Sequence, residues 1–176
     1  MDCFSIEQVL ALLSAAKAES EEDWLMLAVT FLYAMRAHEV VGLKGDNVVG
    51  EYLVRSRGKG SEPIRRPIRE HVNPLLSIKK PLLRLARIKG KSKLFPISAR
   101  TLQRRVHKYG KLAGLPDLLC HPHTLKHSIL TYLAETMSLR DIQEISGHKE
   151  LSSLGIYLHP KAEKVEKAFE DAMRGL

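Results

Sequence analysis

The segment HTLKHSILTYLAETMSLRDIQEISGHKELSSLGIYLH, residues 123–159, decides the fold of this 176-residue chain. Its apolar spacing predicts one helix over residues 122–135. Ser138 begins a second helix as its N-cap, and Asp141 stands three residues later, in the position of a capping box. That helix should end at Gly147, since glycine is the usual residue just beyond a helix C-terminus. The segment therefore predicts consecutive helices joined by short turns.

The octet HPHTLKHS, residues 121–128, holds three histidines and a lysine at the start of the first of these helices. His123 and His127 are four residues apart and share a helix face, which would suit a metal. Lys126 lies between them, and a protonated ammonium cannot ligate a metal. The octet also lacks the carboxylate or thiolate partner that such sites usually recruit. A metal site, a phosphate site and a basic helix end all remain open at this point.

Composition and charge narrow the class of protein. Hydrophobic residues make up 44% and charged residues 27%, as in ordinary globular domains. Lys and Arg number 28 against 20 Asp and Glu, a formal charge of +8 with a pI near 9.6, which favours a polyanionic partner. The longest apolar run, residues 25–35, is too short to cross a bilayer, and no leader suggests export. Cys3 and Cys120 form no disulfide framework, so we expect reduced thiols in a cytosolic protein.

The rest of the chain predicts a mostly α fold with one small antiparallel β-sheet, as a single domain. Residues 47–68 are rich in β-branched residues and contain two turn signals, Gly50-Glu51 and Gly58-Lys59-Gly60, which indicates about three short strands. Ser5 and Gln8 form a capping box before the first helix. Helices are predicted at residues 5–17, 21–34, 75–88 and 98–112. Pro81 is expected to start or kink the third of them. A short helix should carry Tyr157.

Ten polar residues are candidates for function. Arg100, Arg104, Lys108 and Lys111 follow one another at helical spacing and form a basic stripe. Six further positions are Arg36, Lys59, His123, Lys126, His148 and Tyr157. Each of the six has an ordinary explanation when taken alone: a helix dipole partner, an exposed lysine, a helix stop or a core aromatic. Their joint pattern carries more information than any one of them.

Together these residues resemble the catalytic domain of the tyrosine recombinases, the phage integrase family. The family pattern is H-x-L-R-H, a helix, then L-G-H, then Y nine residues later with H two further on. Residues 123–159 match it at both histidines and the leucine of the first motif, at the G-H pair, at the nine-residue step and at the Y-x-H ending. MRAHEVVGLKGDNV is similar to the segment around the first arginine of the family, and RGKGSEPIRRPI to its lysine hairpin. Ordered motifs over residues 5–169 are a specific signal.

The resemblance implies an enzyme that cleaves and rejoins DNA through a covalent 3′-phosphotyrosine, without metal or other cofactor. Tyr157 would be the nucleophile, while Arg36 and Lys126 would hold the non-bridging phosphate oxygens. His123 would assist proton transfer, His148 would donate a hydrogen bond to the phosphate, and Lys59 would protonate the leaving oxygen. The basic stripe would bind DNA. Glu39 is expected to orient its neighbours.

The implied partners are double-stranded DNA and other copies of the chain on that DNA, and no membrane. We expect a cytoplasmic protein, associated with the nucleoid in a bacterium or archaeon. The domain expectation is an integrase-type catalytic domain over residues 1–176, without the N-terminal core-binding domain of the family. An amphipathic tail helix at residues 160–176 could pass to a neighbouring subunit or pack on its own domain.

The sequence departs from the family at Lys126, where the pattern has arginine. An arginine fork grips two phosphate oxygens, whereas a lysine offers one mobile charge. Activity could therefore be reduced, lost, or restored by another residue such as His127. The alternative function is a catalytically impaired DNA-binding protein on the same fold. A metal-dependent nuclease is a third hypothesis, which predicts sensitivity to chelators.

Overall fold

Seven α-helices and a three-stranded antiparallel sheet make up the part of the chain that this computed structural model describes, residues 3–55, 63–147, 151–157 and Met173. The predicted fold class is confirmed. The helices are α1 Ile6–Glu19, α2 Glu21–Leu32, α3 Ala37–Gly42, α4 Lys79–Lys89, α5 Ala99–Leu112, α6 Pro122–Leu133 and α7 Leu139–Ser146. Short 3₁₀ helices lie at Gly45–Asn47, Asp117–Leu119 and Leu151–Tyr157. The last of them confirms the short helix expected at Tyr157.

The helix boundaries follow the predicted caps. Ser5 caps α1 and Ser138 caps α7, each within a complete capping box. Pro81 lies in the first turn of α4, where its missing amide hydrogen breaks no bond, so it helps to start that helix. Gly147 ends α7 in the left-handed conformation, with φ of 71°. That conformation favours glycine, because it carries no Cβ.

Helix α2 ends at Leu32, two residues before its predicted end. Ala34 adopts a left-handed φ of 49°, and the Met35 amide donates to the Thr30 carbonyl at 3.0 Å. This is the bond pattern of a Schellman motif, which normally places glycine at the left-handed position. An alanine there costs roughly 1–2 kcal/mol. The turn brings the chain directly into Arg36 and α3, a short helix that the sequence did not reveal.

The sheet has the strand order β1 (Val48–Val49), β2 (Tyr52–Arg55), β3 (Ile64–Pro67). Val49 pairs with Tyr52 across the turn at Gly50, whose φ is 59°. The register between β2 and β3 runs from Tyr52 opposite Pro67 to Arg55 opposite Ile64. The three predicted strands and the first turn are thus confirmed. The second turn, with Lys59, lies outside the described residues.

The core is built around α2, which packs against α1, α3 and α6. Every residue of α2 from Asp23 to Phe31 is buried. Asp23 is the charged residue of this buried run. It accepts a hydrogen bond from the Tyr109 hydroxyl at 2.6 Å and pairs with Arg105. A buried carboxylate needs such partners, because an unpaired charge in the core is costly. This pair fixes α5 against α2.

A close approach between Gly110 and Cys120 fixes the chain just before α6. A Cβ on Gly110 would lie 2.2 Å from the Cys120 sulfur, far inside van der Waals contact. The sulfur donates weakly to the Pro116 carbonyl at 3.3 Å, and burial raises the pKa of the Cys120 thiol. Glycine at position 110 is therefore required for α5 and the start of α6 to meet at this distance.

No helix among the described residues is long and apolar enough to cross a membrane. The predicted tail helix at residues 160–176 lies outside the described residues apart from Met173. The expectation of an isolated catalytic domain over residues 1–176 stays a prediction.

Candidate active site

Helix α6 carries three of the residues that form the site. His121 caps its N-terminus, and its Nδ1 accepts a hydrogen bond from the Thr124 amide at 3.3 Å. Further along the helix, His123 is exposed, Lys126 is buried and His127 is half-buried. The helical spacing of three and four residues places all three toward one region of the surface.

A second element, α3, presents Arg36 and Glu39. Arg36 is the residue before the helix, and its backbone amide donates to Glu39 Oε2 at 2.7 Å. The guanidinium of Arg36 also pairs with Glu39 Oε1 at 3.6 Å. Glu39 thus holds the position of Arg36 through both its backbone and its side chain. This is the orienting role expected of Glu39.

Arg55 connects three elements from the end of β2. It is only 5% exposed, and it donates to Glu39 Oε2 at 3.1 Å and to the Ile145 carbonyl at 2.9 Å. Ile145 lies in the last turn of α7, two residues before Gly147. Arg55 therefore links the strand that leads toward Lys59 with α3 and with the helix end that leads toward His148.

Tyr157 reaches the site from the end of the 3₁₀ helix Leu151–Tyr157. Its side chain is 3% exposed, and its hydroxyl lies 2.5 Å from His127 Nδ1. The two ring centroids are 5.6 Å apart. Burial raises the pKa of Tyr157 to about 12, and the positive charge of Arg36 partly opposes the rise. Arg36 and the tyrosine are thus close enough to interact electrostatically.

The ammonium of Lys126 has an unusual environment. Its Nζ is buried and has no hydrogen-bond partner among the described residues. Burial, assisted by the charges of Arg36 and Arg55 and opposed by Glu39, lowers the pKa of Lys126 to about 8. A buried donor without a partner costs free energy unless a ligand supplies an acceptor.

Both neighbouring histidines are neutral bases at pH 7. His123 is exposed but its ring is partly desolvated by its neighbours, which lowers its pKa, and Lys126, His121, Arg36 and His38 lower the pKa further. Burial likewise lowers the pKa of His127, and so do His123, Lys126 and His121. The rings of His123 and His127 stack with centroids 6.0 Å apart. The site thus combines fixed positive charge with imidazoles that can accept protons.

The structure brings together four of the six predicted catalytic residues, namely Arg36, His123, Lys126 and Tyr157. Lys59 and His148 lie outside the described residues. The basic stripe is exposed along α5, on the side opposite its buried residues, and Lys108 pairs there with Glu19. Within the described ranges, no group of three His, Cys, Asp or Glu side chains is arranged to hold a metal.

Sequence reasoning missed the role of Arg55 and the contact between His127 and Tyr157. A signal for Arg55 was present, since strand alternation places it on the same face as buried Leu53. No local signal pointed to the His127 contact, because thirty residues separate the two partners in the chain.

The chain is similar in sequence to known proteins over most of its length. The chain is 28% identical to tyrosine recombinase XerD of Staphylococcus aureus (strain Mu50 / ATCC 700699) over 96% of its length and 61% of that protein. It is also 28% identical to tyrosine recombinase XerC of Vibrio atlanticus (strain LGP32), over 87% of the chain and 52% of that protein. The chain thus spans little more than half of the length of these relatives.

Solved structures share the fold. The XerA recombinase superposes with a TM-score of 0.75 at 22% identity, over 98% of this chain and 64% of that one. The lambda integrase catalytic core superposes with a TM-score of 0.65 at 20% identity, over 84% of this chain and 92% of that one. The family model described as "Phage integrase family" matches residues 3–164. The chain therefore belongs to the phage integrase family.

Proposed function

We propose that this domain acts in site-specific recombination, cleaving and rejoining DNA strands through a covalent bond from Tyr157 to a 3′ phosphate. The observation that carries the proposal is the buried Tyr157 hydroxyl, which lies 2.5 Å from a neutral imidazole and in the field of Arg36. An in-line nucleophile surrounded by cations is what phosphoryl transfer without a metal requires. Relatives named tyrosine recombinases support the reaction class.

In the proposed reaction, the Tyr157 oxygen forms a bond to phosphorus and the bond to the 5′ oxygen breaks. Arg36 and Lys126 hold the non-bridging oxygens, and His148 donates to one of them. His123 assists proton transfer. Lys59 gives its proton to the leaving 5′ oxygen, the role that the family resemblance implies for it. The phosphodiester energy stays in the phosphotyrosine, so the 5′ hydroxyl can attack it in turn and rejoin the strand.

The proposed partners are double-stranded DNA and further copies of the chain on that DNA, in a cytoplasmic setting on the nucleoid. The exposed stripe of α5 would bind backbone phosphates, and the net charge of +8 supports this. Two related solved structures support an assembly on DNA, a lambda integrase dimer bound to a COC′ core site and a tetramer bound to a Holliday junction.

A catalytically impaired DNA-binding protein is the second candidate function. One observation favours it. The Lys126 ammonium is buried, and its surroundings lower its pKa and so disfavour its charged form. If no phosphate reaches Lys126, the pocket has one cation fewer to stabilise the transition state.

A trapping experiment distinguishes the two functions and requires no defined target sequence. The protein is incubated with a pool of nicked suicide duplexes of randomised sequence, and adducts that survive denaturation are isolated and sequenced. We expect a covalent adduct that Tyr157→Phe abolishes and that Tyr132→Phe, at an exposed tyrosine of α6, retains. DNA binding without any adduct would support the impaired protein. An adduct that persists in Tyr157→Phe would refute the assignment of the nucleophile.

A further inference from the structure

The side chain that contacts the nucleophile is His127. Its Nδ1 lies 2.5 Å from the Tyr157 oxygen, so the two side chains are hydrogen-bonded. The two rings lie at an angle of 37°, with centroids 5.6 Å apart. Within the described part of the chain, His127 is the hydrogen-bond partner of the tyrosine hydroxyl. His123, which the family resemblance assigns to proton transfer, is exposed and stacks on His127 instead.

We propose that His127 is the catalytic base that takes the proton of Tyr157 as its oxygen attacks phosphorus. This inference rests on the proposed function. In the tautomer with hydrogen on Nε2, the Nδ1 lone pair accepts from the hydroxyl. As the O–P bond forms and the P–O5′ bond breaks, the phenolic proton moves to Nδ1 and the leaving oxygen takes its own proton from Lys59. In the rejoining step, the imidazolium returns its proton to the departing tyrosine oxygen.

The surroundings make the proton transfer concerted with attack. Burial holds the pKa of Tyr157 near 12, whereas burial and nearby cations lower the pKa of His127, so the free pair stays neutral. His123, Lys126 and His121 face the imidazole from α6 and its N-cap, and Tyr157 faces it from the 3₁₀ helix. The positive charge of Lys126, together with the nearby imidazoles when they are protonated, disfavours an imidazolium at His127 before DNA binds. The negative charge that builds on the phosphate in the transition state offsets their effect.

The other side chains of the cluster are less suited to the role. Lys126 is mostly protonated at pH 7, since its pKa is near 8, so it lacks a free lone pair. The guanidinium of Arg36 carries only hydrogen-bond donors and has no acceptor for a proton. His127 therefore combines contact with the nucleophile and a free lone pair at neutral pH.

The test compares the pH dependence of adduct formation in the parent and in His127→Asn. The asparagine side-chain oxygen can accept the hydrogen bond near the position of Nδ1 but cannot take up the proton. We expect cleavage at pH 7 to fall by about a hundredfold or more, the usual contribution of a general base. The variant should then depend on hydroxide, so the ratio of parent to variant rates should shrink by about tenfold per pH unit from pH 7 to 9. Lys126 is present in both proteins, and its titration cancels in that ratio.

One control variant and one substitute variant complete the test. His71→Asn makes the same change at an exposed loop histidine and should cleave like the parent. His127→Gln replaces His127→Asn if the latter does not fold. A parental rate in the His127 variant, or a loss that is constant from pH 7 to 9, would overturn the proposal, since a merely structural role predicts a constant loss.

An equilibrium measurement tests the pair without cleavage. In ¹⁵N NMR of the histidine rings, Tyr157→Phe should shift the Nδ1 resonance of His127 and raise its pKa, because the lost hydrogen bond stabilised the neutral imidazole. Tyr132→Phe should leave that resonance in place. An unchanged His127 in Tyr157→Phe would overturn the proposal. If the parent itself forms no adduct, the proposed function fails and the catalytic role fails with it, whereas the NMR result still decides whether the pair exists.

Discussion

Arg55 donates a hydrogen bond to Glu39 at 3.1 Å from a position that is almost fully buried. The same guanidinium also binds the Ile145 carbonyl, so one side chain joins β2, α3 and the end of α7. Removing one partner of a buried ion pair leaves the other charge poorly compensated.

Arg55→Met should therefore destabilise the domain by about 3 kcal/mol, measured by urea unfolding at pH 7. The matched control is Arg65→Met on the exposed side of β3, where the guanidinium stacks over the Tyr52 ring at 4.0 Å. That change should cost less than about 1 kcal/mol. Equal losses in both variants would mean that the buried arginine has no special structural role.

Lys126 should make the stability of the free domain depend on pH. Its pKa is about 8 in the folded state, against 10.5 for an ordinary lysine. Between these values the unfolded chain binds more protons than the folded one, so stability should rise with pH from about 8 to 10.5. Lys126→Met should remove this rise and stabilise the domain at pH 7 by up to about 3 kcal/mol.

Urea unfolding of the parent and Lys126→Met at pH 7, 8, 9 and 10 measures the difference, and other titrating groups cancel in it. Lys111→Met, at an exposed lysine of α5, should match the parent at every pH. A constant difference between the parent and Lys126→Met would show that the lysine keeps its ordinary pKa.

Lys126→Arg should raise the rate of adduct formation by about tenfold, or roughly 1.4 kcal/mol of transition-state stabilisation. The reason is the planar fork of arginine, which grips two phosphate oxygens where lysine offers one point charge. Lys126→Ala should lower the rate by more than tenfold. Single-turnover cleavage measures both, with DNA affinity expected to stay nearly unchanged. Parental cleavage by Lys126→Ala would show that the lysine does not contact the phosphate.

DNA affinity should fall steeply with salt because backbone phosphates dominate binding. Each neutralised phosphate contributes about −0.9 to the slope of log affinity against log salt. Arg104→Ala should flatten the slope by about that amount, and Lys108→Ala by less, since Lys108 already pairs with Glu19. Arg87→Ala, on α4, is the control. A slope unaffected by Arg104→Ala would place the DNA surface elsewhere.

Cleavage should survive an excess of EDTA. Arg36, Lys59, Lys126 and His148 would supply the positive charge that a metal provides in other phosphoryl-transfer enzymes. The measurement is adduct formation before and after chelation, with elemental analysis of the purified protein. Cleavage that stops in EDTA and returns with added zinc would revive the hypothesis of a metal bound by His123 and His127.

The sequence predicted the helices and the sheet because their signals are local. Helices begin at the caps Ser5 and Ser138 and one ends at Gly147, through hydrogen bonds to residues three or four positions away. Such bonds can be predicted from the spacing of residue types in the sequence. Helix α3 was missed because it is six residues long and its N-cap residue is Arg36, whose side chain makes no capping hydrogen bond. The overlong prediction for α2 failed because an alanine, Ala34, occupies a position where glycine is the usual signal.

The sequence predicted which residues form the site but not which of them contact one another. The resemblance selected Arg36, His123, Lys126 and Tyr157 by motif and order. It could not reveal that Lys126 is buried without a partner among the described residues, near Arg36, Glu39 and Arg55, or that His127 contacts Tyr157 in the 3₁₀ helix. Such contacts are set by packing between distant segments, which spacing alone does not encode.

The contact between Gly110 and Cys120 has an evolutionary consequence. No side chain can be added at position 110 while the sulfur occupies its place, 2.2 Å from where a Cβ would stand. The two positions should therefore covary among relatives, with a larger residue at 110 only where position 120 is smaller or displaced. Position 120 lies two residues before α6. This pair therefore limits how the position of the helix that carries His123, Lys126 and His127 can change among related proteins.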